Sequence, residues 1–141
     1  MLKARHLAIS LGLIAACALA QPVAAETSIT TVTVCQLYAT RSAPSAAPVR
    51  IQATAWVALR HGGSLLQDAH CPRSTIGFRF ADDARDRPMV KQFSAAMTGD
   101  VMNLKPRIFD VRLIGVYMGR TTSEPHGLFV VDDVEGFQKR Q

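Results

Sequence analysis

The sequence predicts a small, mainly β protein with five strands, one helix between the third and fourth strands, and a short helix at the N-terminus. An apolar residue stands at every second position over residues 49–59, which is the pattern of a half-buried strand. Between Pro88 and Gly99 the apolar spacing changes to a helical period. A basic start followed by an apolar segment indicates that this domain is exported.

The first 25 residues have the order of a secretory signal peptide. Two basic residues precede an apolar run over Leu7–Ala20, and small residues up to Ala25 precede the first acidic residue. An apolar run of this length is too short to span a bilayer. We therefore expect cleavage after Ala25, which leaves residues 26–141 as a single domain in the periplasm or outside the cell.

Residues 14–17 offer an alternative, because Ile-Ala-Ala-Cys resembles the lipobox of bacterial lipoproteins. Lipidation would make Cys17 the mature N-terminus and would anchor the domain to the membrane by acyl chains. The apolar run continues past Cys17, and Ile14 stands where lipoboxes usually carry leucine. We favour cleavage near Ala25, and a membrane-anchored lipoprotein is the alternative.

The charge of the domain is mild. Lys3 and Arg5 account for two of the formal net charge of +5, so residues 26–141 carry +3. No block of five or six like charges occurs in the sequence. The chain therefore lacks the usual compositional mark of a nucleic-acid-binding protein.

Without Cys17, the domain has two cysteines, Cys35 and Cys71. An even pair in an exported domain predicts a disulfide. A zinc-binding pair and a reactive thiol are the rival interpretations, and the sequence contains no CxxC motif.

The elements follow one another in a simple order. Thr33 is placed to cap the first helix, Asp86 is a candidate N-cap for the second helix, and Gly99 is placed to end it. Gly115 suggests a bulge or bend, and Gln138–Gln141 are expected to fray. The predicted elements are a helix over 34–38, strands over 49–59, 64–68 and 75–81, the helix after Pro88, and strands over 107–119 and 127–131. Three strands, one helix and two strands is the order of an OB-fold, a five-stranded Greek-key barrel.

Residues 49–81 and 107–134 resemble small exported bacterial OB-fold-like proteins. The likeness consists of the element order, a V-R-I-x-A … L-x-D-x-x-C-P pattern over Val49–Pro72, and a short cysteine-bearing helix ahead of the first strand. The resemblance implies that a disulfide between Cys35 and Cys71 fixes this helix to an OB-like barrel. It implies no chemistry and no cofactor.

Sequence motifs for catalysis are missing, since neither GxSxG nor HExxH occurs. His61, His70 and Asp68 are the candidate metal ligands, provided that the fold brings them to one rim of the barrel. We favour the simpler interpretation that these histidines are exposed loop residues. Acidic residues at 82–86 and 132–135 lack the ligand ladder of a calcium loop, so loop charge and helix capping are preferred to calcium binding.

Trp56 is the one aromatic residue on the polar face of the strand over 49–59. An exposed Trp56 could stack on a base or a sugar, with Arg50, Arg79 and Arg112 as candidate neighbours for an anionic group. We favour the alternative that the N-terminal helix covers Trp56, because the apolar face of that helix needs a partner.

These observations together predict a non-enzymatic, exported binding or structural domain of the bacterial cell envelope. The expected partner is a protein or another envelope component, and contact with the membrane is expected only if Cys17 is lipidated. Metal binding or hydrolysis by His61, His70 and Asp68 is one alternative. Binding of an oligonucleotide or a glycan through Trp56 and the arginines is another, in which export disfavours nucleic acid.

Overall fold

The computed structural model describes residues 28–40, 43–58, 63–100 and 102–141. The predicted signal segment with Cys17, and His61 in the turn after residue 58, lie outside the described residues. The described elements are β1 (Thr31–Val32), α1 (Val34–Ala39), β2 (Val49–Ala58), β3 (Gly63–Gln67), β4 (Thr75–Phe80), a 3-10 helix (Asp82–Ala84), α2 (Pro88–Thr98), β5 (Arg107–Tyr117) and β6 (Leu128–Lys139).

Five of the strands close into a barrel. β3 pairs antiparallel with β2 and with β4, β4 pairs parallel with β6, and β5 pairs antiparallel with both β6 and β2. The closing pair runs from Val49 opposite Gly115 to Val57 opposite Arg107. With α2 between the third and fourth barrel strands, this is the topology of an OB-like barrel, so the predicted fold class is confirmed.

The alternation of β2 divides its side chains between the core and the surface, as the sequence predicts. Ile51, Ala55 and Val57 are buried, whereas Gln52 and Trp56 are exposed. Successive strand residues point to opposite faces, so one register fixes both sets.

Phe93 of α2 is the centre of an aromatic cluster. It is fully buried, and its ring centroid lies 5.0–6.3 Å from those of Phe78, Phe80, Phe109 and Phe137. These rings come from β4, β5 and β6, so α2 is joined to the barrel through one inserted side chain.

Arg107 holds the C-terminal end of α2. Its guanidinium is buried and donates hydrogen bonds to the carbonyl oxygens of Met97 and Thr98 at 2.7 Å and of Asp100 at 2.6 Å. These bonds satisfy carbonyls that a helix end leaves without intrahelical partners. Gly99 ends the helix as predicted, with φ of +44°, and a Cβ there would lie 2.9 Å from the Arg107 guanidinium carbon.

The beginning of α2 differs from the prediction. Arg87, not Asp86, is the N-cap residue, and its side chain makes no capping hydrogen bond. Pro88 occupies the start of the helix, which leaves Asp86 one residue too early to cap it. The Asp86 carboxylate instead lies 3.1 Å from the Lys91 ammonium.

The last strand is longer than predicted. β6 continues to Lys139, Gln138 pairs with Asp110, and the Arg140 amide donates to the Ile108 carbonyl at 2.8 Å. The expectation that residues 138–141 fray is therefore wrong for positions 138–140. The acidic residues at 132, 133 and 135 lie in this strand, so their interpretation as loop charge is wrong as well.

Gly115 lies at an irregularity of the β5–β6 pairing, as predicted. The register shifts between Ile114 and Gly115, and again between Arg112 and Leu113. A Cβ at Gly115 would collide with the Val130 carbonyl, so the close approach of β6 requires glycine.

Helix α1 is short and is stabilised both by a cap at its start and by buried side chains along one face. The Thr33 hydroxyl accepts from the Gln36 amide at 3.0 Å, and the Gln36 side chain accepts from the Thr33 amide at 2.8 Å. Val34 and Leu37 are buried in the core. No helix in the described ranges is long and apolar enough to cross a membrane.

The predicted disulfide between Cys35 and Cys71 is present, with a Cα–Cα distance of 5.8 Å. It joins α1 to the connection between β3 and β4, as the resemblance to exported OB-like proteins implies. A disulfide of this kind is compatible with an oxidising extracellular compartment.

We expect the double variant C35S/C71S to lose about 3–4 kcal/mol of unfolding free energy, because the bond closes a loop spanning 36 residues. Urea unfolding monitored by circular dichroism measures this loss. Reduced wild-type protein is the control and should match the double variant, which a reductant should not alter further. Equal stability of the oxidised wild type and the double variant would contradict the prediction.

Candidate ligand-binding groove

A groove of about 680 Å³ crosses the outer face of β2, β3, β5 and β6. Its central row consists of Gln67, Thr54, Asp110 and Gln138, which are successive partners in the strand registers. These positions point outward because the alternate residues of the same strands fill the core. The row is thus a product of barrel closure, since it takes one residue from each of four strands.

Further polar groups surround this row. Gln52 and its partner Arg112 lie one step along the same face, and Thr33, at the start of α1, also lines the groove. The lining includes Asp68 and His70 from the connection after β3. The Gln67 side chain donates to the Pro72 carbonyl, which holds this connection against β3.

Arg140 covers Asp110 at one part of the groove. Its guanidinium donates to both Asp110 carboxylate oxygens, at 2.6–3.0 Å, and to the Thr54 hydroxyl at 3.1 Å. The hydrogen bonds from Arg140 lower the pKa of Asp110 below its ordinary value. Asp110 is therefore an ionised, charge-paired group at neutral pH.

Glu135 pairs with two arginines beside the groove. The Arg50 guanidinium donates to both Glu135 carboxylate oxygens, at 2.7 and 2.8 Å, and Arg112 Nε lies 3.8 Å from the same carboxylate. The hydrogen bonds from Arg50 lower the pKa of Glu135 below its ordinary value. Arg50 and Arg112 thus share one carboxylate, whereas Arg140 has the Asp110 carboxylate to itself.

Trp56 is exposed, with 39% of its surface accessible. The expectation that the N-terminal helix covers it is wrong, because α1 directs Val34 and Leu37 into the core instead. The residues paired with Trp56 on the neighbouring strands are Leu65 and Ile108.

The predicted ligand face of Trp56 and three arginines does not form a single cluster. Arg50 and Arg112 lie toward the opposite end of the β2–β5 pair from Trp56 and share Glu135. Arg79 lies on β4, which is separated from the strand of Trp56 by β3. Trp56 therefore extends the outer face of β2, two residues beyond Thr54, without these arginines around it.

The candidate metal ligands are brought together only in part. Asp68 accepts hydrogen bonds from the His70 amide at 2.9 Å and from His70 Nδ1 at 2.8 Å, and the backbone bond lowers the pKa of Asp68 below its ordinary value. His61 lies outside the described residues. Within the described part of the chain, no group of three or more His, Cys, Asp or Glu residues could hold a metal ion.

The groove itself was not predicted from the sequence. Gln52 and Thr54 share the polar face of β2 with Trp56, but no local pattern marks either of them as a site residue. Asp110, the partner of Thr54, and Gln138, the partner of Asp110, become neighbours only through the long-range register, and Arg140 lies in the segment that the sequence predicts to fray.

Comparisons with protein-family models, curated proteins and solved structures returned no match for this chain. The geometry of the groove is therefore the basis on which a function is inferred.

We expect E135Q to lower the urea midpoint at pH 7, because glutamine cannot give Arg50 a charged acceptor. The native pKa of Glu135 lies below its ordinary 4.5, so its stabilising contribution is full above that pH and is lost as the pH falls through the native value. The difference between wild type and E135Q should accordingly shrink in acid. E124Q, which removes an exposed carboxylate outside this network, should show no such pH dependence. A difference between wild type and E135Q that is equal at neutral and acidic pH would contradict the assignment.

Proposed function

We propose that residues 26–141 form an exported, non-enzymatic binding domain of the bacterial cell envelope, and that its ligand is an uncharged, hydroxyl-rich chain such as an envelope glycan. The observation that carries the proposal is the polar row Gln67, Thr54, Asp110 and Gln138 along the groove. Side-chain amides donate and accept at once, which matches the dual character of sugar hydroxyls. OB-like barrels are known to bind oligosaccharides on an exposed strand face.

The pairing of the arginines supports an uncharged ligand over a nucleic acid. A protein gains affinity for a phosphodiester backbone from cationic side chains that are free to replace the counterions of the phosphates. Here Arg50 and Arg140 are each hydrogen-bonded to both oxygens of a carboxylate, so binding phosphate at either arginine would require its pair to separate. An uncharged ligand can use the same groups without separating them.

The position of Trp56 supports a chain that extends beyond the groove. Trp56 lies two residues from Thr54 on the same face of β2, which is roughly 7 Å along a strand. Its exposed indole offers an apolar plane next to a polar row, and indole rings combine these two kinds of contact.

The hydroxyl groups of the groove support binding over covalent catalysis. The Thr33 hydroxyl accepts from the Gln36 amide, and the Thr54 hydroxyl accepts from Arg140. A catalytic hydroxyl needs a base to activate it, and the carboxylate beside Thr54 is that of Asp110. The hydrogen bonds from Arg140 lower the pKa of Asp110, which makes this carboxylate a weak base.

Titration of the oxidised mature protein with chitohexaose, an uncharged oligosaccharide, tests this proposal. We expect saturable binding by calorimetry that changes little between about 50 and 200 mM salt. Q52A and Q138A should each weaken binding by about tenfold, because each removes hydrogen bonds to the ligand. The matched control is Q92A, which truncates an exposed glutamine on α2 and should bind as wild type.

Two results would contradict the glycan proposal. One is equal affinity of Q52A, Q138A and Q92A for the oligosaccharide. The other is absence of oligosaccharide binding together with strongly salt-dependent binding of single-stranded oligothymidylate, which would favour the nucleic-acid alternative.

Intact mass spectrometry of the protein exported by its native host tests the proposed location. We expect a mature chain that begins at Glu26, lacks acyl chains, and is lighter than the reduced form by two hydrogen atoms because of the disulfide. A chain that begins at an acylated Cys17 would contradict this expectation and would establish the lipoprotein alternative.

A further inference from the structure

A second cavity, of about 380 Å³, lies between the ends of β3 and β4 and helix α2. The pairing of β3 with β4 ends at Leu65 opposite Gly77. Ser64 on one strand and Phe78–Phe80 on the other therefore lie beyond the paired part in the described structure, and they line the opening. The cavity is thus a gap in the barrel wall that α2 covers from one side.

The interior of this cavity is apolar. Phe78 and Val90 are buried, and Phe80 and Met97 are half-buried against them. The Phe80 and Phe78 rings pack against Phe93 of the aromatic cluster, at centroid distances of 6.0 and 6.3 Å. A hydrocarbon or aryl group that entered this cavity would contact apolar side chains at the edge of the core. It would displace water from them, which is favourable.

The mouth of the cavity is cationic and rich in hydroxyl groups. Arg79 and Arg85 line it together with Ser64 and Ser94. Arg85 pairs with Asp82 at 3.0 Å, but both side chains are mostly exposed, so this pair is weak. Arg79 is exposed, and its guanidinium has no hydrogen-bonding or ionic partner among the described residues. In contrast to Arg50 and Arg140 beside the groove, Arg79 is available to an external anion without the separation of an ion pair among the described residues.

We propose that this cavity binds an amphipathic organic anion, namely a carboxylate that carries a medium-length alkyl chain or an aromatic ring. The apolar part would occupy the space beside Phe78, Phe80 and Met97, and the carboxylate would accept hydrogen bonds from Arg79 and Arg85. The volume lies within the usual range for small-ligand sites, which combine an apolar lining with a few placed polar groups. The site shares no residue with the groove, so it does not depend on the glycan proposal.

Titration of the oxidised mature protein with decanoate, followed by calorimetry and by NMR shifts of Phe78, Phe80 and Ser94, tests the proposal. We expect saturable binding of one decanoate per chain. R79Q should weaken it by about tenfold or more, because a charge-assisted hydrogen bond is lost. R73Q is the matched control, since Arg73 is exposed on the connection between β3 and β4 and should leave the affinity unchanged. The uncharged 1-decanol should bind the wild type more weakly than decanoate does.

A second variant tests the cavity without altering its charge. Leucine favours a helix more than serine does, so S94L should retain the fold of α2, and thermal unfolding would verify this. Its larger side chain should fill the opening and abolish decanoate binding. The proposal is overturned if decanoate does not bind the wild type, if R79Q and R73Q weaken binding equally, or if a folded S94L binds as wild type.

Discussion

The antiparallel pairing of β2 with β5 is the constraint on which the rest of the structure depends. It closes the sheet, so that β2 has a hydrogen-bonded neighbour on each side and its residues divide strictly between two environments. Ile51 and Ala55 enter the core, while Gln52 and Thr54 face outward into the groove. A slip of one residue would exchange these sets, so the core and the candidate binding surface are specified by the same register.

Most regular local patterns could be predicted from the sequence, together with the irregularity at Gly115 and the disulfide, but the pairing of distant strands could not. The alternation of β2, the cap at Thr33 and the stop at Gly99 are local signals, and each is found as expected. The sequence predicts too short a β6, because the register shifts of the β5–β6 pair change the spacing of its apolar core residues from two to three, at Val131, Val134 and Phe137. Gln138 and Arg140, which line the groove, lie at the end of that strand. The irregular spacing therefore prevents the sequence from predicting both the end of the strand and the groove.

The arginines show why composition is a poor guide to a binding surface. Among the described residues, Arg107 is buried and donates to backbone carbonyls, Arg50 and Arg140 are held by carboxylates, and Arg79 is exposed without a carboxylate partner. Arg50 could be identified as a candidate ligand residue from its place on the polar face of a strand. Glu135 forms an ion pair with Arg50, but the two residues lie 85 positions apart in the chain. No local pattern in the sequence therefore reveals this pair.

The disulfide is relevant both to the compartment expected for the protein and to the shape of its groove. Helix α1 has six residues, which is too short for stability on its own, and it is held by its capping box, two buried side chains and the bond from Cys35 to Cys71. Thr33, directly before this helix, and the turn at Asp68–His70, directly before Cys71, both line the groove. One covalent bond therefore holds two parts of the groove wall together, and it is a bond that persists where thiols are oxidised. The features that suit this chain to an oxidising compartment are thus the same features that shape its candidate binding surface.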